Sequence, residues 1–374
     1  MTKYSFKKAL VFTLLPVMTA TLLGLVAGEL YLRHFSRYGY VTPQVLKGKS
    51  LQYVPSLFSR YVLDRKAADV DGWNHHQYHI NSRGYRGPEF AEQKAPGTIR
   101  IMFYGGSTVF DVAGDKDWPR RVEEILQKDG FKVEVLNAAV PGSATFDCFG
   151  RLFSEGHLFA PDYVVLYDNW NDFEYFHSNQ PLLRLFQPYL PKRDPRLNYR
   201  NGLDKFVCEH SQLYVRARTR YYNWKYRVGL EGSQPQGKLG SEITDAALRQ
   251  FRLNVEMFVD LAHEINAVPI LMPEARLVSA QNTEDEKKTI LYQYALLTHE
   301  ALVRAFAQSD QILREVANEK NAFLIDSQKQ MNGRHEFFLD HAHLNGKGSE
   351  QLAHTAAAEL EEILAQKSKS PQTP

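Results

Sequence analysis

The sequence predicts an α/β fold in which a parallel sheet lies between two layers of helices, preceded by a membrane-spanning helix. Two observations predict the sheet: its candidate strands are short and continuously apolar, and amphipathic helical segments separate them. Strands of this kind are buried on both faces, and the helices between them serve as parallel crossovers. The expected architecture is a flavodoxin-like, three-layer α/β/α sandwich. A third observation, an uncharged N-terminal run over Ala9–Ala27, predicts the membrane helix.

The composition excludes several classes of protein. The 374 residues are 44% hydrophobic and 24% charged, which is typical of a globular chain and not of a disordered or collagen-like one. The net charge of +2 gives no global reason to expect nucleic acid as a partner. Two cysteines, Cys148 and Cys208, are too few for a disulfide framework and lack the spacing of zinc ligands. Whether they pair stays open.

The N-terminal run is long enough to cross a bilayer. Its 19 residues, at about 1.5 Å rise each, reach roughly the 30 Å of the hydrocarbon core. Lys3, Lys7 and Lys8 precede it, so the positive-inside rule predicts a cytoplasmic segment over 1–8, a signal-anchor over 9–28 and an extracytoplasmic remainder. The alternatives are a cleaved signal peptide, since small residues stand at 26–28, and a buried core helix. The length of the run and its helical continuation favour the uncleaved anchor.

The remaining chain divides by pattern into an irregular segment, an α/β domain and a tail. We interpret residues 29–98 as a stalk and an apron packed on the domain, with a structural turn over 80–88, residues 99–366 as the domain, and 367–374 as a polar tail. The expected strands of the domain are 99–104, 133–137, 163–167, 268–272 and 322–325, and the expected helices are 118–128, 146–159, 243–265, 286–319 and 348–366.

An insertion over 173–240 interrupts the alternation of strands and helices. Within it, residues 181–228 carry eleven Lys and Arg against three acidic residues, interleaved with tyrosines and Trp224. The insertion directly follows one of the strand-end loops, so we expect a lid or a substrate-shaping subdomain. Binding to an anionic envelope glycan, contact with anionic lipid headgroups, and a solvated helical hairpin all remain open for it.

Chemistry in a parallel α/β sheet is expected at the carboxyl ends of the strands, and the sequence places candidate groups there. The first strand runs into Gly105-Gly106-Ser107, where small residues expose a serine hydroxyl and its amide. The second ends in Pro141-Gly142, the third in Asn169-Trp170-Asn171-Asp172, and the last loop holds Asp340-His341-Ala342-His343. An aspartate three residues before a histidine can orient the imidazole as a base toward a hydroxyl. The patterns of the α/β-hydrolase elbow and of the phosphate-binding loop are absent from the sequence.

These four blocks, in this order, resemble the SGNH or GDSL-like hydrolase superfamily, including its membrane-anchored bacterial members. The resemblance implies Ser107 as nucleophile, His343 as base and Asp340 as the residue that orients it. It also implies an oxyanion hole formed by the amides of Ser107 and Gly142 and by the Asn171 side chain. Two blocks depart from the family pattern: Gly106 replaces the usual aspartate and Asn169 the usual glycine. For Asn169 we expect a left-handed backbone that preserves the turn.

The resemblance implies a serine esterase in a bacterial cell membrane, with its domain on the periplasmic or cell-surface side. The expected substrate is an acyl ester, on an envelope carbohydrate or lipid, and no cofactor or metal is implied. One alternative is an O-acyltransferase acting on a cell-envelope polysaccharide, since members of the superfamily do both. The other is a non-catalytic envelope-binding protein with a vestigial site.

Overall fold

A computed structural model describes residues 3–35, 41–48, 51–65, 69–71, 77–112, 114, 116–179, 198–225 and 238–369. The chain divides into two compact units. The smaller comprises Met1–Lys49 and Lys192–Gln234, and the larger comprises Ser50–Pro191 and Pro235–Pro374. Each is described separately.

The larger unit contains a five-stranded parallel sheet between two helical layers. Within the described residues the strands are β1 (Tyr53–Pro55), β2 (Tyr61–Leu63), β3 (Asp69–Asp71), β4 (Gln77–His79), β5 (Ile99–Gly105), β6 (Val133–Asn137), β7 (Tyr163–Tyr167), β8 (Val268–Leu271) and β9 (Phe323–Leu324). The sheet order is β6-β5-β7-β8-β9, while β1-β2 and β3-β4 are separate antiparallel pairs. Taken in chain order, the five parallel strands run 2-1-3-4-5, which is the flavodoxin-like order. The predicted fold class is confirmed.

Helices of the larger unit cover both faces of that sheet. In chain order, the helices of the described residues are α1 (Lys3–His34), α2 (Pro43–Gly48), α3 (Ser107–Phe110), α4 (Trp118–Lys128), α5 (Thr145–Glu155), α6 (Gly202–His210), α7 (Gln212–Lys225), α8 (Asp245–Glu264), α9 (Glu284–Lys287), α10 (Tyr292–Ala295), α11 (His299–Glu319) and α12 (Gly346–Lys369). Of these, α1, α2, α6 and α7 belong to the smaller unit. Side chains alternate across β5: Met102 and Tyr104 pack with α5, α8 and α11, whereas Ile101 and Phe103 pack with α4 and α12. The helices bury a hydrophobic core on each face of the sheet, so the polar groups of the strand-end loops lie at one edge of the sheet.

The predicted continuous helix over 286–319 is wrong. The structure has α9, α10 and α11 in its place, and Leu296 between the last two adopts a left-handed backbone with φ of 52°. The Thr298 side chain accepts a hydrogen bond from the Ala301 amide, which starts α11 as a new helix. Similarly, the helix expected over 146–159 ends at Glu155, and Gly156–Phe159 continues as a 3-10 turn. The other strands and helices expected in the domain lie within a few residues of their predicted bounds.

The smaller unit contains α1, α2, α6 and α7. Residues 11–34 of α1 are long and apolar enough to span a membrane, with a mean hydropathy of 2.0 over the best 18-residue window. None of that window is buried against the protein. Residues 198–225 of the insertion belong to this unit, whereas its described residues 173–179 and 238–240 belong to the larger one, and the role of the insertion as a lid stays a prediction.

Candidate active site

The serine of the first strand end is held at the start of a short helix. Ser107 is the first residue of α3, directly after β5 and two glycines. A Cβ atom on Gly105 would overlap the Tyr167 carbonyl oxygen, and one on Gly106 would overlap the amide nitrogen of Asn171. Neither glycine has a positive φ, so both are required for space and not for backbone conformation.

The structure brings the three expected catalytic residues together in one chain of hydrogen bonds. Ser107 Oγ lies 2.7 Å from His343 Nε2, and His343 Nδ1 lies 2.8 Å from Asp340 Oδ2. The other oxygen of Asp340 accepts the amides of Ala342 and His343, at 3.0 and 2.9 Å. Burial raises the pKa of the Asp340 carboxyl, but hydrogen bonding and charge from His343 outweigh it and hold that pKa well below its usual range. Asp340 is therefore an anion that fixes the orientation of the imidazole.

Only one histidine of this loop reaches the serine. His341 is buried, with its ring centroid 4.2 Å from that of Trp170, and neither ring nitrogen has a hydrogen-bond partner among the described residues. Burial lowers the pKa of His341 to about 4, so its ring is neutral at physiological pH. It packs the loop against Trp170, while His343 faces Ser107.

Two of the expected oxyanion donors, Gly142 and Asn171, are held by specific contacts. Gly142 has a φ of 84°, in the left-handed region, and the Tyr61 hydroxyl fills the space where its side chain would be. The amide nitrogen of Asn171 donates to the Ser143 carbonyl at 2.7 Å and also lies against Gly106. Because an amide nitrogen carries two hydrogens, one stays available for an oxyanion. The Tyr294 hydroxyl donates to Asn171 Oδ1 at 2.9 Å, which fixes which end of the amide points at Gly106.

The expectation of a left-handed turn at Asn169 is wrong. Its φ is −158°, an extended value that any residue adopts. The turn is held instead by Glu274, whose Oε2 accepts the amides of Asn169 at 3.1 Å and Trp170 at 3.0 Å. The Asn169 side chain donates to Ser309 Oγ at 3.2 Å. The Glu274 carboxylate, from the loop after β8, therefore stabilises the turn at Asn169 without a left-handed residue there.

Glu274 belongs to a buried group of carboxylates under the third loop. Burial raises the pKa of Glu274, although hydrogen bonds from the Trp170 amide, the Thr108 hydroxyl and the Asn169 amide oppose this. Burial also raises the pKa of Asp172 to about 6, against hydrogen bonds from Thr145 and Tyr175. Asp172 accepts the Thr145 amide at 2.9 Å and so caps α5. Burial, with the charges of Asp172 and Glu274, raises the pKa of Asp168 well above its usual range.

Residues from the segment before the domain also hold the site. Arg60 donates to the Gly142 carbonyl at 2.7 Å and pairs with Asp147 at 2.7 Å, while the Tyr61 hydroxyl donates to the Pro141 carbonyl at 3.3 Å. Arg86 is buried and donates to the carbonyl oxygens of Phe110 and Asp111, at the end of α3. The predicted structural turn over 80–88 is confirmed, with Gly84 and Gly87 at positive φ. The apron therefore fixes two of the catalytic loops.

Four residues of the site were not predicted from the sequence: Glu274, Tyr294, Arg60 and Arg86. For Glu274 a signal existed, because a carboxylate directly after an apolar strand stands at the ligand-binding edge of the sheet. Tyr294 lies on a four-residue helix inside the region predicted as one long helix, and no sequence pattern distinguishes it. Both cysteines are buried free thiols. No cluster of metal-ligating side chains occurs among the residues that the structure describes.

Comparisons with known proteins find similar structures but no matching family. No family model matches the sequence, and neither does any curated protein. Among solved structures, the acetyl xylan esterase AlAXEase is 15% identical with a TM-score of 0.42, covering 70% of this chain and 100% of its own. The lipase/acylhydrolase from Enterococcus faecalis is 18% identical with a TM-score of 0.42, covering 71% of this chain and 96% of its own. Axe2, an acetylxylan esterase from Geobacillus stearothermophilus, is 14% identical with a TM-score of 0.43, covering 70% and 94%. At this degree of likeness no role is transferred from these proteins, and the interpretation of the site depends on its own geometry.

Proposed function

We propose that the protein is a serine esterase that works through an acyl-enzyme, with Ser107 as nucleophile, His343 as general base and Asp340 as the residue that orients the base. The observation that carries this proposal is the continuous contact from Ser107 Oγ through both nitrogens of His343 to Asp340, with separations of 2.7 and 2.8 Å. A serine hydroxyl is a weak nucleophile at neutral pH, and a base within hydrogen-bonding distance supplies the activation it lacks.

The reaction begins when Ser107 Oγ attacks the ester carbonyl carbon while its proton passes to His343 Nε2. The carbonyl π electrons move to oxygen, and Asp340 stabilises the imidazolium. The oxyanion receives hydrogen bonds from the Ser107 amide, the Gly142 amide and the second hydrogen on Asn171 Nδ2. Each such donor contributes roughly 3 kcal/mol of barrier lowering. Collapse of this intermediate expels the alcohol, which takes the proton from His343, and leaves the acyl group on Ser107.

Water completes the cycle in the hydrolytic reaction. His343 removes a proton from water as the oxygen attacks the acyl carbonyl, and returns that proton to Ser107 as the serine leaves. If a sugar hydroxyl takes the place of water, the same residues transfer the acyl group to an envelope polysaccharide instead. The lysines that precede the uncharged run of α1 and the apolar length of that helix support an N-terminal membrane anchor with the domain on the extracytoplasmic side. The proposed substrate is accordingly an acyl ester of an envelope carbohydrate or lipid.

The proposal is tested with the full-length protein purified in detergent, assayed with p-nitrophenyl acetate against Ser107→Ala. We expect the wild-type protein to release p-nitrophenol and the variant to lose that activity with an unchanged circular dichroism spectrum. Equal hydrolysis by both proteins would overturn the assignment of the nucleophile. Adding an acylated donor and an envelope polysaccharide to the same assay separates the two acceptors: free acid alone supports hydrolysis, and an acylated glycan supports transfer.

A further inference from the structure

The two helices of the insertion, α6 and α7, expose several large apolar side chains in addition to Cys208, Val215 and Tyr222, which they bury. Large apolar or aromatic residues recur at helical spacing on their exposed sides, and we call this set the aromatic face. Its members are Leu203, Phe206, Tyr214, Tyr221 and Trp224. Trp224 is 73% exposed, Leu203 72% and Phe206 59%. The rings of Tyr221 and Trp224 lie 6.2 Å apart and form an exposed aromatic pair, and exposed apolar patches mark sites of interaction.

The inward sides of the same helices carry the polar groups. Asp204 and Arg218 form a buried ion pair, with Arg218 Nε 2.9 Å from Asp204 Oδ1 and Nη2 3.0 Å from Oδ2. The Tyr214 hydroxyl also donates to Asp204 at 2.9 Å. The inward contacts of these helices, polar and apolar, leave the side chains of the aromatic face exposed.

The contacts of α6 and α7 with α1 indicate what surrounds the aromatic face. Glu29 of α1 accepts the amides of Gln212 and Leu213, at 2.8 and 2.9 Å, and so caps the N-terminus of α7. Arg33 donates to the carbonyl of His210, at the end of α6. These contacts begin one or two residues after the uncharged run ends at Ala27, whereas residues 11–27 of α1 are exposed throughout. The junction of α6 and α7 therefore lies at the level where α1 leaves its apolar stretch, and α7 does not run back along that stretch.

A groove at this junction has the character of a lipid site. It has a volume of about 490 Å³ and is lined by apolar side chains of α1 and α7, with the ion pair of Glu29 and Arg33, at 2.7 Å, beside them. The lining includes Leu25, Leu30 and Leu213, together with Arg33 and His34. The exposed Arg220 and Lys225 add positive charge near the aromatic face. Tyr and Trp are enriched at the boundary between hydrocarbon and water, and basic residues there are attracted to anionic headgroups.

We propose that the aromatic face of α6 and α7 lies in the headgroup layer of the membrane that α1 spans, with phospholipid as its partner. Its aromatic side chains insert among the upper acyl chains, and the neighbouring Arg and Lys side chains bind headgroup phosphates. The arrangement fixes the smaller unit against the bilayer surface, so that it does not turn freely about a single helix. The inference depends on the proposed membrane-spanning role of α1.

The test measures whether lipid reaches Trp224. Full-length protein is reconstituted into vesicles of phosphatidylcholine and phosphatidylglycerol, in which the phosphatidylcholine is brominated either near the headgroup or near the chain ends. The fluorescence of Trp224 is obtained by subtracting the spectrum of Trp224→Phe from that of the wild type. We expect this difference signal to lose most of its intensity with bromine near the headgroup and much less with bromine near the chain ends. The corresponding signal of Trp118, which is fully buried in the larger unit, is the control and should be quenched by neither lipid.

Two outcomes would overturn the proposal. A Trp224 signal that is unaffected by either brominated lipid places the aromatic face in water. A signal that resists bromine but shifts with the protein-to-lipid ratio places a second copy of the chain on that face. Alkaline carbonate extraction of the same vesicles tests the anchor separately, since a protein without a spanning helix is released. Esterase activity measured on the same sample shows independently whether the proposed catalytic function holds.

Discussion

The Tyr294 hydroxyl offers a selective way to perturb one oxyanion donor without touching the catalytic residues. It donates to Asn171 Oδ1 at 2.9 Å, while its ring stacks on Trp170 with centroids 5.5 Å apart. Tyr294→Phe removes the hydrogen bond and keeps the stacked ring. The Asn171 amide then loses the contact that holds its nitrogen toward Gly106.

The size of the effect follows from two numbers. Removing an oxyanion donor outright, as in Asn171→Ala, costs about 10²–10³ in kcat. Loosening that donor by one hydrogen bond costs about 1 kcal/mol, or roughly a fivefold loss in kcat. We expect Tyr294→Phe to lower kcat by about that factor and to leave KM nearly unchanged, because the interaction is stronger in the transition state than with the bound ester.

The assay is steady-state ester hydrolysis by the wild type, both single variants and the double variant. If Tyr294 acts through Asn171, Tyr294→Phe has no further effect in the Asn171→Ala background. Tyr292→Phe is the matched control, since Tyr292 lies on the same short helix and its hydroxyl contacts His299 Nδ1 at 2.9 Å instead. If Tyr294→Phe lowers kcat by the same factor in the wild-type and Asn171→Ala proteins, or if Tyr292→Phe lowers kcat equally, Tyr294 does not act through Asn171.

Three further predictions concern the residues that hold the loops. Glu274→Ala leaves the Asn169 and Trp170 amides without their acceptor, so kcat should fall at least tenfold. Glu274→Gln keeps a side-chain oxygen at that place and should retain most of the wild-type kcat. Equal rates in the wild type and Glu274→Ala would exclude a positioning role for Glu274. Gly106→Ala places a methyl group against the Asn171 amide and should reduce kcat about 10²-fold, while Gly346→Ala, which meets no atom within 4 Å, should leave it unchanged; full activity in Gly106→Ala would contradict the placement of that amide. The pKa of Asp172 rises from 3.8 to about 6 in the folded protein, so its ionisation destabilises the fold as pH increases through that interval. The unfolding free energy of the wild type relative to Asp172→Asn should fall by about 2 kcal/mol between pH 4 and pH 7, and a difference that is flat with pH in denaturant titrations would contradict the shift.

The fold and the position of the candidate site at one edge of the sheet could be predicted because they depend on local patterns, whereas the roles of the triad residues were implied by the family resemblance. Apolar strands such as Tyr163–Tyr167 and helices such as Trp118–Lys128 have the bounds that periodicity gives, since burial on one or both faces fixes the spacing of apolar residues. The catalytic groups follow the strands directly in sequence, so the parallel topology brings Ser107, Gly142 and Asn171 to one edge.

The supporting contacts could not be predicted because they join residues far apart in the chain. Glu274 meets Asn169 across 105 positions, and Tyr294 meets Asn171 across 123. Such contacts leave no periodic trace in one sequence. The error at Asn169 has the same origin: a local backbone conformation was expected where a distant carboxylate does the work. The break at Leu296 was not predicted because the apolar residues on both sides of it keep a helical spacing. Thr298 is a good residue to begin a helix, but this matters only if the preceding helix has already ended, and apolar spacing does not show where a helix ends.

Covalent labelling shows directly whether Ser107 is a nucleophile that His343 activates. The folded full-length protein is treated with a fluorophosphonate, digested and mapped by mass spectrometry, and the labelling rate is compared with that of His343→Ala. We expect a single phosphonyl adduct on Ser107, and we expect it to form at least about 10²-fold more slowly in His343→Ala than in the wild type. An unlabelled folded protein, an adduct on another residue, or equal rates in both proteins would contradict it.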